Sequence, residues 1–190
     1  MFMGMLGGNP VSSIDPLGLA GTVTIYSSGN GGSSMTSGHA WISYQPDGGS
    51  VTTCGTWGNN PTGEGNGLFQ NLELGRSADA SRSMHIDDAA EKKLLEKIDD
   101  YKSKGEKAWR LGGPCSSFAR DTWNSATNEN LNANLGPISN PTTLKESIID
   151  ANGGVANAIA NKPEGGSSAS SGSFGRSSGA SSLNSLGSSL

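Results

Sequence analysis

Gly112-Gly113-Pro114-Cys115-Ser116-Ser117-Phe118-Ala119-Arg120-Asp121-Thr122-Trp123 is the stretch on which the reading of this chain turns. It predicts a helix with a thiol in its first turn. Gly113 suits a cap. Pro114 suits the first helical position, where its missing N–H is no loss. Cys115 then lies among backbone N–H groups with no intrahelical partner, whose partial positive charge favours thiolate over thiol. Cys115, Phe118, Ala119, Thr122, Trp123 and Ala126 recur at helical spacing, so one face packs inward. A helix held by its core face can keep its first turn at a cleft. That arrangement fits a nucleophilic cysteine. It equally fits a small buried hydrophobe, since free Cys is among the most buried residue types.

Several strands precede this helix. Thr22-Val23-Thr24-Ile25-Tyr26 alternates and favours β structure. Gly38-His39-Ala40-Trp41-Ile42-Ser43-Tyr44 follows a Gly/Ser loop. Its period of two puts His39, Trp41 and Ser43 on one face and Ala40, Ile42 and Tyr44 on the other. Pro46-Asp47-Gly48-Gly49 signals a hairpin. Val51-Thr52-Thr53-Cys54-Gly55-Thr56-Trp57 returns as a third strand. Residues 58–71 are rich in Gly and Asn and read as a loop at a cleft rim. Asn71-Leu72-Glu73-Leu74 and Ser81-Arg82-Ser83-Met84-His85-Ile86 read as short strands. Asp87 and Asp88 cap a helix, Asp88 having capping-box spacing with Glu91. Its stripe is Ala90, Leu94, Ile98 and Tyr101, with Leu95 beside them. Asn140-Pro141 opens a last helix, with Leu144, Ile148 and Ala151 facing inward and Gly153 ending it. The pattern is α+β: a small antiparallel sheet packed against a helix that bears the cysteine.

A thiol nucleophile needs a base. The chain has two histidines, His39 and His85. His39 opens a strand beside a Gly-rich loop and is the better candidate base. His85 leads into an acidic helix cap, which favours its charged form. What orients His39 stays open. The neighbouring strand offers Thr52, Thr53, Cys54 and Thr56 but no Asp, Asn, Gln or His. Thr52, Thr56 and Ser43 are the candidates for orienting the ring or holding an oxyanion, and Trp41 and Trp57 for lining a substrate cleft. Cys54, away from any helix start, reads as a packed strand residue.

Gly38-His39-Ala40-Trp41-Ile42-Ser43, then Cys54-Gly55-Thr56-Trp57, then Pro114-Cys115-Ser116-Ser117-Phe118-Ala119 resembles the permuted papain-like cysteine hydrolases. These include relatives of the NlpC/P60 and lecithin-retinol acyltransferase groups, in which the histidine strand precedes the cysteine helix. The resemblance spans residues 35–125. It implies a permuted papain-like fold, with Cys115 as nucleophile, His39 as base and no cofactor or metal.

Near the start, Asn9-Pro10-Val11-Ser12-Ser13-Ile14-Asp15-Pro16-Leu17-Gly18-Leu19 resembles the NPxxxxDPLGL close of Rhs/YD-repeat cores. Such cores form shells that carry a variable C-terminal toxin and are cut just after this motif. The likeness implies a core remnant at 1–19 and a toxin domain at 20–155. Implied partners are the parent shell and its secretion apparatus, a bacterial protein substrate and an immunity protein. The implied function is an antibacterial effector delivered by a contact-dependent route such as type VI secretion. It would act as a cysteine protease in the cytoplasm of the target cell. Peptidoglycan peptide cleavage in the periplasm, lipid acyl hydrolysis or transfer, and a non-enzymatic binding module are the alternatives.

Composition narrows the classes. The 190-residue chain is 33% apolar, and the deficit is local. Residues 156–190 end in a run of mostly Ser and Gly that cannot offset its own ordering entropy, so a disordered tail is expected there. The net charge of −4, with lysines interleaved among acids in 92–107, gives no basic stripe for nucleic acid. No apolar run approaches the ~20 residues of a membrane span. Residues 1–6 lack the basic start of a signal peptide. CxxC metal spacing is absent, so Cys54 and Cys115 read as two free thiols.

Overall fold

The computed structural model describes residues 19–29, 38–58 and 63–160. Residues 9–18 of the shell-like motif and the tail from 161 onward lie outside the described residues. The element order is β1 (Leu19–Ser28), β2 (His39–Pro46), β3 (Thr52–Trp57), β4 (Gly67–Gln70), β5 (Ala80–Asp87), α1 (Asp88–Ser103), α2 (Cys115–Thr127), β6 (Asn134–Leu135), β7 (Ile138–Ser139), α3 (Pro141–Ala151) and β8 (Asn157–Ala160). A 3-10 turn at Gly105–Ala108 links α1 towards α2. The protein is therefore α+β.

Six strands form one sheet in the order β4-β3-β2-β1-β5-β8. Neighbours are antiparallel except β5 and β8, which run parallel. The sheet is thus mixed rather than wholly antiparallel. Two of its strands are additions to the sequence reading. Gly67–Gln70 pairs with β3 inside the stretch expected to be loop. Asn157–Ala160 pairs with β5, so ordered structure runs past the expected end at 155. Four residues with one partner strand give too short a period to read in advance.

Alternation sorts the sheet into two faces, as the sequence predicts. Val23 and Ile25 of β1, Ala40, Ile42 and Tyr44 of β2, and Met84 and Ile86 of β5 join the core. Against them pack Leu94, Ile98 and Tyr101 of α1, then Phe118, Ala119, Trp123 and Ala126 of α2, then Leu144 and Ile148 of α3. The stripes drawn from helical spacing are those that bury, except that Leu95 stays largely exposed and Ala151 is exposed. Asp87, rather than Asp88, caps α1, accepting from the Ala90 N–H at 2.9 Å. Glu91 does not close a capping box: it accepts a 2.6 Å hydrogen bond from Tyr44 Oη. Asn140 caps α3 through the Thr143 N–H, with Pro141 opening the helix as expected.

The opposite sheet face is polar and aromatic. Thr24 and Ser83 pair at 2.9 Å, Thr22 meets His85 Nδ1 at 2.9 Å, and Tyr26 stacks on Trp41 at 5.1 Å. His39 belongs to this face by alternation. Cys115 comes from the helix layer. The two are joined at the end of the sheet where β2 begins and β3 ends.

Candidate active site

Cys115 is the first residue of α2, and Pro114 is its cap in extended conformation. The sequence places the cap at Gly113, one residue early. Gly113 is used instead in a tight turn, where Arg110 and Gly113 exchange backbone hydrogen bonds. That turn sets the chain direction into the helix. Ser116 Oγ, bonded to Ser139 Oγ at 3.0 Å, ties the first turn of α2 to β7.

The backbone N–H groups of Ala40, Ser116 and Cys115 lie about the Cys115 sulfur. Those dipoles favour thiolate, as the helix start leads one to expect. Burial outweighs them and pushes the thiol up to about 11. Burial therefore keeps Cys115 a thiol at rest, although the helix start favours thiolate. Proton removal must accompany attack, so a base is required.

His39 stands at the start of β2, after Gly38. Gly38 has a φ of +107°, and a Cβ there would lie 2.1 Å from the Ser28 carbonyl oxygen. The close approach holds the entry to β2 against the end of β1. The His39 ring lies between two indoles, Trp57 at 4.0 Å and Trp41 at 5.6 Å between centroids. Its Nε2 is 2.9 Å from Oε1 of Glu73.

Glu73 is the residue that sequence reasoning missed. It sits in the turn after β4, where a strand is expected, and is only 2% exposed, while the adjacent Leu74 is 51% exposed. A buried carboxylate beside an exposed leucine inverts ordinary patterning, and such inversions belong to functional or strained sites. The carboxylate is fully engaged. Oε1 accepts from His39 and from Trp57 Nε1 at 2.6 Å, and Oε2 accepts from Thr53 Oγ1 at 3.0 Å. Gly55 makes the room. A Cβ at Gly55 would lie 2.2 Å from Glu73 Oε1 and 3.1 Å from His39 Nε2. Asn71, at a φ of 64°, fixes the turn by bonding both ways with Thr53.

The charge states follow. Burial pushes Glu73 up, but the bond from His39, the bond from Trp57, the imidazole charge and the Thr53 hydroxyl together hold it below the ordinary carboxylate range. Burial lowers His39. Glu73 partly restores it, the nearby Arg76 lowers it again, and the net shift is downward. An ionised carboxylate only accepts, so Nε2 carries the proton and Nδ1 is left basic.

Cys115 and His39 face one cavity of about 500 Å³. Gly38 and His39 come from the start of β2, Thr56, Trp57 and Gly58 from the end of β3, and Pro114 and Cys115 from the start of α2. Trp109, Leu111, Ile138, Pro141 and Arg76 complete the wall. The other sequence candidates are placed as follows. Trp57 lines the cavity. Trp41 does not: it is buried behind His39. Thr56 lines it with a buried hydroxyl that has no hydrogen-bond partner. Ser43 donates to Tyr26 Oη at 3.4 Å, and Thr52 pairs with Tyr44 at the far end of β3. The carboxylate on the His39 ring thus comes from the turn after β4, and neither Ser43 nor a β3 threonine makes that bond. Cys54 is buried and free, with its thiol pushed up to about 11 by burial. Among the described residues no group of His, Cys, Asp and Glu has the arrangement to hold a metal ion, and no helix is long and apolar enough to cross a membrane.

No family model matches this chain, no curated protein matches it, and no solved structure matches it.

Proposed function

We propose that this chain is the toxin domain of an Rhs-type effector and that it is a permuted papain-like cysteine protease acting on a protein in the target bacterium. The observation that carries the enzymatic part is one cavity faced by both Cys115 and His39, with the histidine anchored by buried Glu73. The order of a histidine strand before a cysteine helix supports the papain-like part. The effector part rests on the NPxxxxDPLGL stretch at 9–19.

Each residue has a role in acyl transfer. Glu73 holds the Nε2–H of His39 and so presents the Nδ1 lone pair. Nδ1 takes the Cys115 proton, in contact or across one water, as the sulfur attacks a carbonyl carbon. The N–H groups at the start of α2 offer donors for the oxyanion. The imidazolium, stabilised by Glu73, returns its proton to the leaving amine. Water, deprotonated by the same nitrogen, then releases the acyl group from sulfur.

The test is expression of the full chain in the cytoplasm or, behind an export signal, the periplasm of a bacterium. Wild type is compared with Cys115→Ala for growth and for new protein N-termini. Cysteine-dependent arrest from the cytoplasm with new N-termini is expected. Arrest by a folded Cys115→Ala protein overturns the hydrolase reading. Arrest only from the periplasm moves the substrate to the cell wall.

A further inference from the structure

The turn that delivers Glu73 inward delivers Arg76 outward. The Arg76 N–H donates to the Glu73 carbonyl at 2.9 Å, closing the turn. The Arg76 guanidinium then lies over the Trp57 ring at 5.5 Å and the Trp41 ring at 5.9 Å, at the wall of the cavity that Cys115 and His39 face.

Three observations make this arginine a reader of substrate. First, among the described residues it forms no ion pair, whereas Arg82 and Arg120 each hold a carboxylate at 2.6 Å. Second, the rest of the wall is chiefly aromatic, aliphatic and glycine, so among the described lining residues Arg76 supplies the one permanent charge. Third, the indole beneath it restricts the guanidinium and leaves its N–H edge for a partner in the cavity. A planar, preorganised fork beside an apolar wall is the arrangement that selects a carboxylate.

We propose that Arg76 is a specificity residue of the candidate active site and that the preferred substrate carries a carboxylate, such as an acidic side chain, close to the carbonyl that Cys115 attacks. This rests on the reading of Cys115 as nucleophile. The pairing also has a chemical consequence. Arg76 disfavours a charged His39. A bound carboxylate neutralises Arg76 and so eases formation of the imidazolium during attack. A neutral substrate keeps that penalty.

Matched alkylating probes test it on the full chain: bromoacetamides bearing a carboxylate on spacers of one to four carbons, and the same compounds as primary amides. Alkylation of Cys115 and Cys54 is followed by peptide mass, with Cys54 as internal reference. The acid is expected to alkylate Cys115 about fivefold faster than the amide at one spacer length, with no such preference at Cys54. The preference should fall towards one in high salt and in Arg76→Gln, and should pass to an amine-bearing probe in Arg76→Glu. A merely structural arginine gives no such reversal. Equal rates for acid and amide at every length, or a preference that survives both salt and Arg76→Gln, overturn the proposal while leaving Cys115 as nucleophile. Cys115 reacting no faster than Cys54 with every probe overturns the nucleophile reading, and the proposal with it.

Discussion

Glu73 Oε1 lies 2.9 Å from His39 Nε2, and both side chains are buried although 34 residues separate them in the chain. The carboxylate satisfies three donors at once: the imidazole, the Trp57 indole and the Thr53 hydroxyl. Truncation would strand all three. Glu73→Ala is expected to lower stability by about 3 kcal/mol, in the range for breaking one half of a buried pair. Glu73→Gln keeps the volume and should fold, yet it removes the charge that favours the imidazolium. Cysteine-dependent activity should fall about a hundredfold in Glu73→Gln. Denaturant titration and a cleavage assay on the two variants separate the roles. Full activity in folded Glu73→Gln would leave the pair a packing device.

Gly55 is the second lever on the same bond. One methyl group there meets the Glu73 carboxylate and the His39 ring together. Gly55→Ala should therefore displace the pair without touching Cys115. A misplacement on the scale of an ångström is expected to cost about a hundredfold in activity. The check is a paired measurement of activity and melting temperature. Unchanged activity in Gly55→Ala would show that the pair's geometry is not needed for turnover.

Strands β1, β2, β3 and β5, the three helices and most of their buried stripes were legible because periodicity reports which face packs. The Cys115 helix and the His39 strand belong to that category. Glu73 was not legible. It is brought to His39 by a turn, and a turn carries no periodic signal. The one trace it left is a carboxylate set between Leu72 and Leu74 just after a positive-φ Asn71 and before Gly75. The strand next to His39 suggested Thr52 and Thr56 as orienting groups, but the threonine engaged there is Thr53, which bonds Glu73 rather than the ring. The balance at the Cys115 thiol was legible only in part, for a related reason. A helix start is visible in sequence, but the burial that outweighs it is a property of the packed whole.

Acid should weaken the fold through this pair before it weakens anything else at the site. The folded protein holds His39 below its ordinary 6.5, so on acidification the unfolded chain takes up that proton first. Stability present above 6.5 is lost as pH falls from there towards the folded value. Glu73, held below its ordinary 4.5, adds a second loss at lower pH in the same direction. Each pH unit inside the His39 window should remove up to about 1.4 kcal/mol. Urea midpoints from pH 8 to pH 5 measure this, and His39→Gln should flatten the first part of the decline. A wild-type midpoint that is level across that range contradicts a His39 buried neutral.

The two thiols offer the most direct trial of the base. Burial lifts both Cys115 and Cys54 to about 11, so burial gives Cys115 no head start in ionisation. What distinguishes Cys115 is its share in a cavity with His39. With iodoacetamide at pH 7, Cys115 should react about a hundredfold faster than Cys54, the usual gain from a positioned base. Its rate should drop on acidification at the lowered value where the folded His39 gains a proton, below the ordinary 6.5, since an imidazolium accepts nothing from the thiol. In His39→Ala the advantage should collapse, and Cys115 should follow Cys54, rising only as pH approaches the thiol's own value. Peptide mass spectrometry after timed quenching reads both sites in one sample, so unfolding or loss of reagent affects both alike. If wild-type Cys115 titrates in step with Cys54, no base acts on it, and Cys115 is a buried hydrophobe at the head of a well-packed helix.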